Sequence, residues 1–231
     1  MATDLAPAPL RRFWASTIGK KAVMAVSGLL LLAFVFAHMV GNLKTFLGAA
    51  ELNHYAGWLR TIGEPVLRRE WFLWLQRAVL LAALVLHVTA AVQLARRDLR
   101  ARPVRYVHRR PVRATFAVRT MRWGGATLAV FLVWHILDFT VGTVNRGFVP
   151  GDPYHNLVAD FQVWWVNLIY LLALAMLGLH IHHGFASAAR TLGVAGAKRE
   201  RAIKILGSTT AVVVAGGYAL VPVAIMTGLV H

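Results

Sequence analysis

Residues 177–193 read LGLHIHHGFASAARTLG. His180, His182 and His183 stand near the end of a strongly apolar run, and the chain then leaves that run toward Arg190. Imidazoles at membrane depth are expensive and mark functional sites. What they face depends on three histidines far away in sequence, His38, His87 and His135, each inside another apolar run.

The 231 residues are 58% hydrophobic with a mean hydropathy of +0.59, too apolar for a soluble domain of ordinary composition. A formal charge of +16 would suit nucleic acid, but the basic residues sit in the gaps between apolar runs and no basic-aromatic module interrupts them. No nucleic-acid partner is expected. There is no cysteine, which removes disulfides, thiolate chemistry, iron–sulfur ligation by this chain and covalent haem attachment. Histidine is left as the abundant metal ligand. Met1 to Lys21 lacks an apolar core ahead of its basic residues and is not expected to be a cleavable signal peptide.

Five apolar runs reach the roughly 20 helical residues a bilayer requires. They are Ala22–Val40, Phe72–Ala95, Gly124–Val144, Phe161–Ala186 and Ile205–Leu229. Their hydrophobicity is continuous rather than alternating, which argues against a barrel. The expected fold is an all-α integral membrane protein, a single domain over residues 1–231, whose first four helices form a bundle. Of the 25 lysines and arginines, 19 fall in the N-terminal arm, between Arg96 and Arg122, and between Arg190 and Lys204. Only Lys44, Arg60, Arg68, Arg69, Arg77 and Arg146 lie on the other side. The N-terminus is therefore expected in the cytoplasm and the C-terminus outside. The outer segment Asn42–Trp71 carries Phe46, Leu47, Tyr55, Trp58 and Leu59, and predicts a short interfacial helix. Asn145–Asp160, rich in Gly, Pro and Asp, reads as turns. The basic segment 96–122 suits topology determination with attraction to anionic lipid, or a landing surface for an acidic cytoplasmic partner.

Depth follows from a helical rise of about 1.5 Å per residue. His38 lies near the outer end of run one. His87, nine residues before Arg96, lies roughly 14 Å from the inner boundary. His135, 13 residues beyond Arg122, lies roughly 20 Å from it, and His180, ten residues before Arg190, roughly 15 Å. An outer pair, His38 with His135, and an inner pair, His87 with His180, thus match in depth. Two such pairs in a four-helix bundle are what two bis-histidine b-type haems require. Small residues such as Gly28, Ala37, Ala82, Ala83, Gly178 and Gly184 would let a flat cofactor approach the backbone. A zinc site would need ligands converging on one point. A proton relay would want intramembrane carboxylates, and Asp138 is the candidate. His183 shares a face with His180 and competes for the ligand role; His182 points to the far side, toward the interface or lipid headgroups.

These residues resemble a known family, the cytochrome b membrane anchors of succinate dehydrogenases and fumarate reductases, in the branch with five helices and two haems on one polypeptide. The resemblance runs from about Trp14 to Val230. It is carried by Ala37-His38-Met39, Leu86-His87, Val133-Trp134-His135 and the His180 stretch ending in Ala189-Arg190-Thr191-Leu192-Gly193. Gly41-Asn42-Leu43-Lys44, Asn53-His54-Tyr55 and Leu59-Arg60 look like the actinobacterial type. The resemblance implies His180 rather than His183 as the fourth ligand, with His87 and His180 on the proximal haem and His38 and His135 on the distal one. It implies a flavoprotein and an iron–sulfur subunit as partners, in a succinate dehydrogenase of the bacterial cytoplasmic membrane. Electrons would pass from the iron–sulfur subunit through the two haems to menaquinone. No catalytic residue is assigned to the chain itself, and a higher oligomer of the complex is left open. Candidates for haem propionates are Ser27, Lys21, Arg77, His183 and Arg190. Candidates for the quinone are Asn42, Lys44, His54, Asp138 and Glu64, the last as nearest counterpart of a loop glutamate used by some relatives. Two other readings remain: the cytochrome b of another respiratory enzyme, such as a hydrogenase or formate dehydrogenase, and a histidine-relay proton transporter.

Overall fold

The computed structural model describes residues 9–101, 114–196 and 198–231, except for the side chains of 114–119. Arg102, Arg105, Arg109, Arg110, Arg113 and the side chain of Arg119 in the basic segment lie outside the described residues. Among those described there is no strand. The helices are α1 (Pro9–Ala15), α2 (Thr17–Asn42), α3 (Ala49–Thr61), α4 (Trp71–Arg100), α5 (Ala114–Ile136), α6 (Pro153–Phe161), α7 (Trp164–Thr191) and α8 (Glu200–Met226). A 3₁₀ turn, Leu43–Leu47, extends α2, and a π turn, Leu137–Val141, extends α5. Five helical segments are long and apolar enough to cross a membrane: Thr17–Leu47, Trp71–Arg100, Thr120–Val141, Trp164–Thr191 and Glu200–Met226. Large apolar side chains such as Leu81, Val130 and Val212 stand exposed along them, a surface that lipid would cover in a multi-pass membrane protein.

Local chemistry sets where these elements begin and end. α2 starts earlier than its apolar run because Ser16 caps it, its hydroxyl accepting from Gly19 N at 2.8 Å. Lys20 thereby falls inside the helix, where it is buried, donates to the Trp14 carbonyl and lies 5.0 Å over the Trp14 ring. The segment expected as turns carries α6. Asp152 caps that helix, accepting from His155 N, and Pro153 opens it, a start signal that a composition count passes over. The chain breaks at Gln162 and Val163, so α7 begins at Trp164 rather than at Phe161. The short helix expected after run one is present as α3.

α2 is the central helix, packing on α4, α7 and α8, while α7 packs on α5 and α8. α3 and α6 cover the end of the bundle opposite the N-terminus. Asn53 ties them together: its Nδ2 donates to Asp152 Oδ1 at 2.8 Å and its Oδ1 accepts from Tyr154 N at 3.1 Å. Tyr154 also donates to the His231 carbonyl at 3.1 Å, which brings the C-terminus to this capped end. At the other end, Arg97 of α4 donates to the Ala15 carbonyl at 2.9 Å and fastens α1 to the bundle.

Candidate functional site

Four histidines from four helices meet as two ring pairs. His38 of α2 faces His135 of α5 with ring centres 6.0 Å apart, and His87 of α4 faces His180 of α7 at 6.2 Å. The first pair lies toward the capped end and the second nearer the middle of its helices. Neither α2 with α5 nor α4 with α7 packs closely through its backbone. Each histidine pair therefore spans a gap between helices that otherwise stand apart.

The spacing has a chemical meaning. An imidazole nitrogen lies about 1.1 Å from its ring centre and a metal–imidazole bond is about 2 Å, so two rings holding one metal from opposite sides stand roughly 6 Å apart. Aromatic contact alone tolerates about 4.5–7 Å, but it gives no reason for two helix pairs to be held apart at a single imidazole pair each. Among the described residues no group of three His, Cys, Asp or Glu side chains could hold a metal ion together. What the chain offers is paired, two-coordinate imidazoles.

Hydrogen bonds fix the tautomers of two of these rings. His87 Nδ1 lies 3.0 Å from the Met24 carbonyl, which can only accept, so Nδ1 carries the proton and Nε2 keeps its lone pair. Ser27 supports the same nitrogen at 3.4 Å while donating to the Val23 carbonyl at 2.7 Å. At the outer pair, Tyr170 donates to Asp138 Oδ2 at 2.6 Å, so its oxygen accepts from His135 Nδ1 at 3.2 Å and Nε2 is again free. His180 Nδ1 is buried without a partner among the described residues.

The two pairs have different surroundings. Phe34 and Tyr218 stand 5.3 and 6.1 Å from His38, and Phe131, Phe139 and Tyr170 stand 5.7 to 5.9 Å from His135, an aromatic box. Small residues open the inner pair: a Cβ on Gly28 would come within 3.0 Å of His87 Cε1, and one on Gly125 within 3.7 Å of His180 Cε1. Gly178 instead seats α7 against Ala215 of α8, and a Cβ on Gly184 would meet nothing within 4 Å.

The other sequence candidates are dispersed. Ser27 is buried beside His87. Lys21 is exposed, as is Arg77, whose guanidinium lies 4.8 Å over the Trp74 ring. Arg190 pairs with Glu200 at 3.2 Å. His183 touches His182, with ring centres 4.9 Å apart. His182, expected at the interface, lies 3.1 Å from Ser208 Oγ through its Nδ1 and so faces the fifth membrane helix, whose packing on α7 its position in the run does not disclose. Lys44 and His54 come together, with Glu51, Tyr55 and Trp58, around an open pocket of about 250 Å³ at the capped end. Asn42 is half-buried where α2 passes into its 3₁₀ turn, Glu64 is exposed in the turn before α4, and Asp138 is buried in the π turn. Tyr170 and Asp160, which sequence reasoning passed over, join Asp138 in a polar cluster behind His135. No family model, curated protein or solved structure matches the chain.

Proposed function

We propose that the chain is a di-haem cytochrome b, the membrane anchor of a succinate:menaquinone oxidoreductase. The observation that carries the haem assignment is the pair of histidine ring contacts, 6.0 and 6.2 Å apart, each bridging two helices that do not otherwise pack closely. His38 and His135 would hold the outer iron, His87 and His180 the inner one. Bound haems would supply one-electron transfer between a cytoplasmic iron–sulfur subunit, itself fed by a flavoprotein, and menaquinone near the capped end. Met24 and Tyr170 hold the proton on Nδ1 of His87 and His135, so that Nε2 is presented as a ligand. The sequence resemblance supports the identity of the partners and of the quinone, and the skewed distribution of Lys and Arg supports a cytoplasmic N-terminus. Reporter fusions at the two termini check that orientation. The pocket lined by Lys44 and His54 suits the quinone head, with cationic and imidazole donors for its oxygens beside the Tyr55 and Trp58 rings.

A histidine relay for protons fits less well. It needs a continuous hydrogen-bonded path, whereas the inner pair ends at the Met24 carbonyl on one side and at an unpartnered Nδ1 on the other. Optical and paramagnetic spectra of the purified protein decide. Two b-type haems per chain are expected, with His38→Ala or His135→Ala removing one and His87→Ala or His180→Ala the other. A preparation without haem, or His180→Ala retaining both haems, contradicts the assignment. Co-purification with a flavoprotein and an iron–sulfur protein separates this complex from other respiratory cytochromes b.

A further inference from the structure

Behind the outer histidine pair lies a polar cluster with no counterpart at the inner pair among the described residues. Asp138, in the π turn, and Asp160, in α6, are only 1% and 5% exposed. The two carboxyls lie within hydrogen-bonding reach of each other. Tyr170 from α7 donates to Asp138 Oδ2, whereas Asp138 Oδ1 and Asp160 Oδ2 find no donor among the described residues. Neither carboxyl has a cationic partner there: the ion pairs are Arg60–Glu70, Arg122–Asp98, Arg190–Glu200 and Lys204–Glu200.

Two buried carboxyls within reach of each other, each with an oxygen that no donor meets, lack a hydrogen. Two carboxylates so close cannot both stay ionised away from water, and a single shared proton supplies the missing hydrogen bond between them. We propose that Asp138 and Asp160 form a proton-sharing acid pair, and that Tyr170 couples its charge to His135. Among the described residues the other titratable groups leave the pair alone. From α7 it meets Tyr170, with His135 of α5 behind that hydroxyl; on α6 itself, Asp152 and His155 are engaged with Asn53 and the Gly147 carbonyl; no charged group of α3 or α8 makes a described contact with it. Burial, then the charge of Asp138 and the bond to it, pushes the Asp160 carboxyl up to about 8. The folded chain thus keeps a proton that an unfolded aspartate releases near pH 4. The sign follows: the pair's contribution to stability is full in acid and is lost as pH rises toward 8.

The acid pair stands on the carboxyls alone, whereas the link to His135 rests on the di-haem reading, and the test separates the two. Infrared spectra of the full chain in nanodiscs are recorded across pH with Asp138→Asn, Asp160→Asn and Tyr170→Phe. A protonated-carboxyl band is expected at pH 7. In either Asn variant it should titrate away at a lower pH than in the parent, because the neighbouring charge is gone and the amide supplies the missing donor while burial remains; it should survive in Tyr170→Phe and in the control Asp152→Asn. Absence of the band from the parent, an unchanged titration of the band in both Asn variants, or its displacement by sodium overturns the shared proton. The link predicts that the outer haem's midpoint potential depends on pH in the parent and loses that dependence in Asp160→Asn and Tyr170→Phe, with the inner haem unchanged. Equal pH dependence in all three overturns the link. A protein without haem overturns the link together with the di-haem reading, and the infrared result still judges the pair.

Discussion

At the scale of single residues, the candidate ligands are set by what stands behind them. The Met24 carbonyl and the Tyr170 hydroxyl each demand an Nδ1 proton on the ring they meet, and so leave Nε2 free. The four histidines were legible in sequence because helix order and depth sort them into pairs. Tyr170 and Asp160 were not. Tyr170 sits in an apolar run where its neighbours give no polar signal, and Asp160 closes a segment whose composition suggests solvated turns. Their meeting depends on the docking of α6 onto α7 and the π turn, which no local pattern encodes. Gly28 was visible as a small residue, yet its neighbour is His87 itself. An added Cβ meets that ring at 3.0 Å, so alanine forces the ring back by a few tenths of an ångström and valine by more. On the di-haem reading, Gly28→Val is expected to lower inner haem content severalfold while leaving the outer haem intact. Haem stoichiometry with spectral resolution of the two centres checks it, and equal loss of both would point to general misfolding.

At the scale of elements, the long helices were legible because twenty or so apolar residues leave few alternatives in a membrane. Their ends were not, since caps such as Ser16 and breaks such as Gln162–Val163 lie outside the apolar count. The least legible element was α6, whose Asp152-Pro153 start reads as well as a turn. That aspartate now carries a cap and the Asn53 bridge at once. The His155 amide, and after it Asn53, hold its carboxyl below the usual range. A depressed folded value means that the carboxylate stabilises this end above about pH 4, the unfolded value, and that the contribution fades as pH falls through the folded one. Asp152→Ala should cost about 1 kcal/mol, the ordinary worth of an N-cap, and more where the Asn53 bridge also fails. Thermal unfolding in nanodiscs measures it. Hydrogen exchange should localise the loosening to α3 and α6, and unchanged exchange there would sink the idea.

At the scale of the whole molecule, α8 contributes none of the four paired histidines but clamps the bundle. Tyr218 donates to the Val35 carbonyl of α2 at 2.8 Å, Ser208 meets His182 of α7 at 3.1 Å, and Met39 lies so close to Gly217 that a Cβ there would collide with its sulfur. This side of the protein is secured by direct packing. On the opposite side α4 packs directly on α2 and α5 on α7, whereas α4 meets α7 and α5 meets α2 through the two imidazole pairs. The consequence concerns biogenesis. On the di-haem reading, a newly inserted chain without haem would keep α4 on α2 and α5 on α7 but lose what joins α4 to α7 and α5 to α2, offering a looser bundle to membrane quality-control proteases. Haem supply would then set the abundance of the protein rather than only its colour. Cells starved of haem should show turnover of the chain several times faster than that of a five-helix protein without a cofactor, a difference that pulse–chase labelling resolves. A His38→Ala, His87→Ala double variant should be degraded equally fast in haem-replete cells.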